Sequence, residues 1–291
     1  MNNIKQFTLS EFVETDDFPF YIQYGFHDNG CYLHGHEDFS ELVIVLDGSA
    51  FQFVENDAYP ISKGDVFVLD KYTSHSYTDA SNFKICNVMF RPEVLFEHLP
   101  HIRQNAGFQA LFILEPYYAK HHQFCSRFRL KPEDFSSIQK MLAEMIHEHT
   151  EKQEGWQTLL YAKFVQLCTI LSRLYQDSEQ NHADDVMKLA TAVAYIEKNF
   201  CNDISLANLA AMTGYSERQF NRLFKSAFST SPSLYITNLR LQKAQLLIKN
   251  SNQPIGEIAW SCGYSDQNYF SRIFKKYVGL TPTEYKQNAL W

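Results

Sequence analysis

The sequence predicts a multidomain chain of α and β parts: an N-terminal β-barrel, a central helical pair used as linker and dimerisation element, and a C-terminal all-α domain with two helix-turn-helix motifs. Three observations predict it. Glu41–Val54 and Phe83–Phe90 are apolar runs of strand composition with turn residues between them. From Phe135 to Tyr175 apolar residues step by three and four. Leu206–Tyr235 and Ile255–Tyr285 are two copies of one segment. The expected boundaries are 1–130, 131–183 and 184–291, a division that lets each part of the 291-residue chain bury its own core. The N-terminus MNNIKQFTLS is too polar for a signal peptide, and no apolar run approaches the ~20 residues of a membrane span. Six scattered cysteines (31, 86, 125, 168, 201, 262) without a C-x-x-C read as reduced thiols, so a cytoplasmic protein without a membrane partner is expected.

In the first part, Asp47-Gly48 has the composition of a tight hairpin turn inside ELVIVLDGSAFQFV, and Asn56-Asp57 is another turn. Lys63-Gly64-Asp65 precedes the apolar Val66–Leu69. Short strands with nothing helical before about residue 93 predict a small double-sheet barrel. His34 and His36, two apart on a strand, face the same way. With Glu41 and His75 they offer three imidazoles and a carboxylate, a donor set suited to Zn²⁺, Fe²⁺, Mn²⁺ or Ni²⁺. The same four residues suit hydrogen bonding to the hydroxyls of a small effector, with Phe51, Phe53 and Phe67 as apolar walls. On the second reading no cofactor is required. His121, His122, His147 and His149 read as surface residues. No nucleophile elbow, P-loop or dinucleotide fingerprint is present, and Gly25, Gly30 and Gly35 are too loosely spaced to cradle phosphate.

In the second part, Phe135, Ile138, Met141, Leu142, Met145 and Ile146 form one helical stripe. Trp156, Leu159, Leu160, Phe164, Leu167, Cys168, Leu171, Leu174 and Tyr175 form another, which predicts an antiparallel helix pair. The second stripe either packs on the sheet or forms a dimer seam. Residues 177–185 (DSEQNHADD, from 177) read as an exposed linker, and Val186, Leu189, Ala190, Val193, Ile196 and Phe200 open a further helix.

The repeat carries the most information. Ala210 matches Ala259, Gly214-Tyr215-Ser216 matches Gly263-Tyr264-Ser265, and Phe220-x-Arg222-x-Phe224-Lys225 matches Phe270-x-Arg272-x-Phe274-Lys275. Pro232 and Tyr235 match Pro282 and Tyr285. The offset is 49 before the second helix of each copy and 50 within it, so one residue is inserted. Each copy predicts a short helix ended by glycine (Gly214, Gly263) and a second helix capped by serine (Ser216, Ser265). Phe220, Leu223, Phe224 and Phe270, Ile273, Phe274 point inward, while Ile236, Leu239, Leu246 and Leu247 stripe one helix connecting the copies. The outward residues are Arg218, Asn221, Arg222 and Lys225, then Gln267, Asn268, Tyr269, Ser271, Arg272, Lys275 and Lys276. Such side chains read base edges and phosphates from a helix in the major groove. From Asp184 to Trp291 there are 12 basic and 8 acidic residues, against 14 and 25 in the remainder, so a basic module is joined to an acidic one.

The stretch from Ile204 to Tyr285, including GYSDQNYFSRIFKKYVGLTPTEY, resembles the DNA-binding domain of the AraC/XylS family of transcription regulators. The order His34-Gly-His36, Glu41, Gly48, Gly64-Asp65 and His75 resembles the two cupin motifs, although Asp70 and Tyr72 stand where cupins commonly have Pro and Gly. The resemblance implies a sequence-specific regulator of double-stranded DNA whose cupin-like barrel binds a small effector such as a sugar, and a homodimer joined through the helical pair. It implies contact with RNA polymerase if the regulator activates. Arg218, Asn221, Arg222 and Lys225 then contact one half of the site, and Gln267, Asn268, Tyr269, Arg272 and Lys275 the other. His34, His36, Glu41 and His75 bind effector, or a divalent metal where one is held. The alternative is a metal-dependent cupin enzyme carrying a DNA-binding tail. A third reading, a DNA-binding protein without ligand, predicts a filled barrel.

Overall fold

A computed structural model describes residues 4–13, 18–28, 30–54, 57–71, 73–96, 99–120, 128–178 and 184–288. His121, His122, Tyr72, Cys125, Asn56 of the expected turn, and residues 179–183 of the expected linker lie outside the described residues. The chain divides into two compact units, Met1–Ala190 and Thr191–Trp291. Among the described residues no helix is long and apolar enough to cross a membrane.

The first unit contains β1 (Lys5–Phe7), β2 (Phe20–Phe26), β3 (Cys31–His36), β4 (Ser40–Val54), β5 (Asp57–Ser62), β6 (Asp65–Leu69), β7 (His75–Phe90) and β8 (Phe128–Arg129). Two of these strands are long and bent, and each serves two faces. The first half of β4 pairs with β6 and its second half with β5, while β7 runs antiparallel to β4 along both halves. One face is therefore β1-β3-β7-β4-β5, and the other β2-β7-β4-β6-β8. Val43, Val45, Phe67, Leu69, Phe83 and Ile85 from one face meet Ala50, Val54, Ile61 and Tyr77 from the other in a shared core.

The bend corrects the expected hairpin at Asp47-Gly48. Gly48 has φ +72° inside one continuous strand, and the β4–β7 register shifts on both sides of it. A Cβ there would lie 2.2 Å from the carbonyl oxygens of Ser81 and Asn82, so glycine permits a bulge that folds the sheet over. Asp79 (φ 49°) and Asn82 (φ 46°) bend β7 opposite it.

After β7 come α1 (Pro92–Leu95), α2 (Pro100–Arg103), α3 (Ala106–Phe108), a π-helical stretch Gln109–Leu114 and α4 (Glu115–Lys120). None of these is expected from the sequence, because pieces this short carry no helical period. The expected helix pair is α5 (Pro132–Glu151) and α6 (Trp156–Gln176), and Lys163 Nζ donates to Glu144 Oε2 across it at 2.7 Å. The α6 stripe packs on the sheet: Phe164 lies 5.1 Å from the Phe20 ring and 5.0 Å from the Phe90 ring. Phe90, Val88, Leu42, Phe20 and Ile22 share that face through the register, so this part of the sheet is covered on both sides. That is why ELVIV reads as a continuous apolar run rather than an alternation. Leu159 is the large apolar side chain that α6 leaves exposed.

Next follows α7 (Asp184–Asn199), and the second unit contains α8 (Leu206–Thr213), α9 (Glu217–Phe228), α10 (Pro232–Asn250), α11 (Ile255–Ser261), α12 (Gln267–Val278) and α13 (Pro282–Asn288). Ser205, Ser216 and Ser231 cap α8, α9 and α10 by accepting from backbone N–H groups three residues on. The expected cap Ser265 does not cap α12. Asp266 does, accepting from Tyr269 N at 2.8 Å. The inserted residue of the second copy thus sits in the turn, which explains the step in offset from 49 to 50.

The two copies bury the same aromatic arrangement. Phe220, Phe224, Phe270 and Phe274 are fully buried. Tyr235 stands edge-on to Phe224 at 5.4 Å, and Tyr285 edge-on to Phe274 at 5.5 Å. This contact gives the Pro-x-x-Tyr its purpose: proline starts α10 and α13, and tyrosine one turn later closes on the preceding helix. On α10 the buried residues are Pro232, Leu241, Ala244 and Ile248, while Leu246 is exposed. The expected stripe follows the largest aliphatics and passes over Ala244. Arg240 donates to Phe200 O (2.6 Å) and Asn202 O (2.8 Å), and Lys243 donates to Ser261 O (2.9 Å). These two cations of α10 hold the frame rather than project from it.

After α9 the chain turns at Ser229, φ 54°, where the second copy has Gly279, φ 88°. A left-handed conformation costs a residue with a Cβ about 1–2 kcal/mol. Ser229→Gly is therefore expected to stabilise the second unit by about 1 kcal/mol, read as a higher urea midpoint at unchanged slope.

Candidate DNA interface and barrel cavity

On α9, Arg218, Asn221, Arg222 and Lys225 fall at i, i+3, i+4 and i+7 and are all exposed, so they form one stripe opposite Phe220 and Phe224. On α12, Asn268, Ser271, Arg272 and Lys275 occupy the equivalent places; Ser271 is half-buried and the others are exposed. Gln267 and Tyr269 flank this stripe, with Tyr269 49% exposed and the Arg272 guanidinium 5.8 Å from its ring centre. All nine residues expected to touch DNA are thus exposed on two helices that share one packing scheme. Ser271, equivalent to Asn221 and already among the outward residues of the repeat, is half-buried, and its hydroxyl donates to the Gln267 carbonyl at 2.9 Å.

The barrel positions the other cluster through its register. His34 pairs with His75 across β3 and β7, and His36 lies two residues further on the same face. Glu41 comes from the other face, where it pairs with Met89. The structure brings all four expected residues together. Glu41 Oε2 lies 3.5 Å from His36 Nε2 and 3.6 Å from His75 Nε2, with each side chain no more than 3% exposed. His34, His36 and His75 each present a ring nitrogen within 4.8 Å of the others'. His34 Nδ1 bonds the Tyr32 carbonyl at 2.9 Å, and His36 stacks on Phe39 at 4.3 Å.

Burial sets the charge of this cluster. It pushes the Glu41 carboxyl up to about 8, against a pull from the Asn87 hydrogen bond. It drives His36 down to about 3, with His34 adding to the shift, and takes His75 well below the usual imidazole range. Each of these shifts, His34 included, favours the uncharged form of its group, as expected where burial is the largest cause. The distances exceed the ~2.7–2.9 Å of a charge-assisted hydrogen bond.

Beside the cluster lies a cavity of about 230 Å³. Its polar lining includes Gln23, His27, Asn87 and Tyr77, and its aromatic lining Phe7, Phe12, Phe39 and Tyr24. The Tyr77 hydroxyl and Asn87 Oδ1 are buried without a hydrogen-bond partner. The barrel is therefore not filled, contrary to the reading without ligand. The expected aromatic walls are corrected. Phe51 is 42% exposed and Phe53 shares its outward parity on β4, while Phe67 belongs to the core. Strand parity is fixed only once β4 has paired with β7. Asn87 carries a sequence signal of its own, a polar residue inside the buried run ICNVMF, which the motif-based reading passes over.

The family described as AraC-like ligand binding domain matches residues 19–168, and that described as Helix-turn-helix domain matches residues 209–288. The HTH-type transcriptional activator RhaR of Mannheimia succiniciproducens is 26% identical over 290 residues, covering 100% of this chain and 99% of the relative. The HTH-type transcriptional activator RhaS of Escherichia coli O1:K1 / APEC is 26% identical over 252 residues, covering 87% and 86%. Among solved structures, a transcriptional regulator of AraC-type DNA-binding domain-containing proteins from Chromobacterium violaceum is similar at 33% identity, covering 37% of this chain and 96% of that one, with a TM-score of 0.34.

Proposed function

Because this chain belongs to the AraC family, and is a DNA-binding transcription regulator under effector control rather than an enzyme, we propose that it reads its operator with α9 and α12 and its effector in the barrel cavity. The observation that carries the first half is the doubled stripe: Arg218, Asn221, Arg222 and Lys225 recur as Asn268, Ser271, Arg272 and Lys275 on a helix built the same way. Arginine and asparagine make bidentate contacts to guanine and adenine, and the lysines neutralise phosphate. Gln267 and Tyr269 extend the second contact. Recognition of this kind needs no cofactor.

The cavity supports a small effector. Its 230 Å³ lies below the ~300–1,000 Å³ of drug-sized pockets. Unpaired Tyr77 and Asn87 oxygens among aromatic rings suit a polyhydroxylated monosaccharide, whose C–H faces stack while its hydroxyls find partners. In this reading residues 1–130 sense, 131–183 carry the contacts of a homodimer, and 184–291 bind DNA in the cytoplasm. If it activates transcription, as the relatives are named for doing, the bound protein would do so by contacting RNA polymerase.

Thermal denaturation against pentoses, hexoses, 6-deoxyhexoses and sugar acids tests the effector half. A ligand at a hundredfold excess over Kd stabilises the folded state by ~2.7 kcal/mol, which raises Tm by about 5–10 °C for a unit of this size. The same compound is expected to change operator affinity about 5- to 150-fold. A panel that moves neither Tm nor operator affinity contradicts the cavity as effector site.

A further inference from the structure

The two copies of the repeat diverge beside the start of the second reading helix. At matching places the first copy has Ala207, Ala211 and Glu217, and the second has Gly256, Trp260 and Gln267. We infer, on the reading of α12 as a helix that enters the operator, that Gly256 is a positioning residue for operator recognition: by lacking a side chain it seats the Gln267 amide in the orientation that reads one base pair.

The contact between the two residues is close. A Cβ built on Gly256 would lie 2.8 Å from Gln267 Oε1 and 3.5 Å from Gln267 Cδ. Carbon and oxygen do not pack at the shorter distance, so any other residue at 256 displaces the amide. What moves is the free end of a flexible side chain, and the helices themselves need no rearrangement. Backbone conformation does not call for glycine here either. Gly256 lies inside α11 and is not among the positive-φ glycines. Glycine within a helix is less favourable than alanine, so the second copy gives up helix stability where the first has Ala207. Room for Gln267 is what it gains.

The seated amide is free to act. Gln267 is the first residue of α12 and is exposed. Its backbone carbonyl accepts from Ser271 Oγ at 2.9 Å, while its side chain makes no hydrogen bond to the described residues. Glutamine reads adenine through two hydrogen bonds at once, to N6 and N7, which requires its amide plane to be fixed. A long side chain that is already placed loses less rotamer freedom on meeting the base. Trp260, 75% exposed, and Ser265 line the same hollow as Gly256 and Gln267, so the seat also has an aromatic wall. The first copy lacks this arrangement: it carries a Cβ at Ala207 and, at Glu217, a carboxylate that when ionised only accepts.

The test selects preferred sites from a random DNA pool with the full-length natural chain, Gly256→Ala, Gln267→Ala and the double variant. Gln267→Ala is expected to lose preference at one base pair by about 5- to 150-fold, the worth of one bidentate contact. Gly256→Ala is expected to lose preference at that same base pair and no other, by about 5-fold or more. It is also expected to melt at the same or a higher temperature than the natural chain, because alanine favours helix. In the double variant the loss equals that of Gln267→Ala alone, since both changes act through one amide. Full preference kept by Gly256→Ala, where Gln267→Ala loses it, overturns the seat and leaves α12 as a reading helix. Loss spread over the whole motif, or a lowered melting temperature, in Gly256→Ala also overturns it, by making the glycine a matter of packing. If Gln267→Ala changes no preference, the assignment of Gln267 falls together with the seat.

Discussion

Alanine at both Arg222 and Arg272 is expected to lower operator affinity about 30- to 20,000-fold, because each bidentate base contact supplies about 1–3 kcal/mol of discrimination and well-separated sites add. The two arginines occupy the same place in the two copies and both are exposed. Neither serves the frame, in contrast to Arg240, whose guanidinium is spent on the Phe200 and Asn202 carbonyls. Selection of binding sequences from a random pool separates base reading from simple charge. If the arginines read bases, the double variant loses preference at two groups of positions and keeps it elsewhere. If they touch only phosphate, binding weakens evenly across sequences, and the salt slope falls by about 0.9 for each phosphate no longer neutralised. An unchanged preference with unchanged affinity would remove α9 and α12 as the reading helices.

Phe274→Ala is expected to destabilise the C-terminal unit by about 3–5 kcal/mol, the usual cost of emptying a buried phenylalanine site. The ring is fully buried and lies 5.6 Å from Phe270 and 5.5 Å from Tyr285, so its loss opens the centre of the second copy. Against a total stability of about 5–15 kcal/mol for a domain, that loss is large enough to unfold much of the unit at growth temperature. The matched change Phe224→Ala takes away the ring that packs against Phe228 (4.6 Å) and Tyr235 (5.4 Å) and is expected to cost a similar amount. Leu246→Ala, at an exposed site on α10, is expected to cost under about 0.5–1 kcal/mol. Calorimetry checks the three together. In the phenylalanine variants the transition of the second unit moves to lower temperature, and operator binding is lost with it. Equal melting of Phe274→Ala and Leu246→Ala would contradict the packing account of the repeat.

The C-terminal part is legible in the sequence because repetition removes ambiguity. A helical face that recurs with glycine, cap, aromatic pair and Pro-x-x-Tyr at matching offsets specifies its own inside and outside. Even there, a single inserted residue moves the cap of α12 from Ser265 to Asp266, which no period could place. The barrel is legible in kind and not in detail. Local composition at Asp47-Gly48 favours a hairpin, and only pairing with the bent β7 turns that glycine into a bulge. Because side-chain direction on a strand has period two, Phe51 and Phe53 can be assigned to neither face until the register is known. The histidines escape that difficulty. His34 and His36 share parity by spacing, and the resemblance ties Glu41 and His75 to them across strands no local signal connects. The helices between Pro92 and Lys120 are too short to carry a period, which is why the sequence does not reveal them.

The central claim, that this chain is an effector-controlled reader of specific DNA sites, is tested most directly by mapping its binding sites across the host genome. The map would be made for the natural chain and for the Arg222→Ala, Arg272→Ala double variant. The account predicts discrete sites that share one two-part sequence motif, sites whose occupancy changes when the inducing compound is supplied, and their loss in the double variant. A map without enriched sites, with and without the compound, or one that the double variant leaves intact, would contradict it.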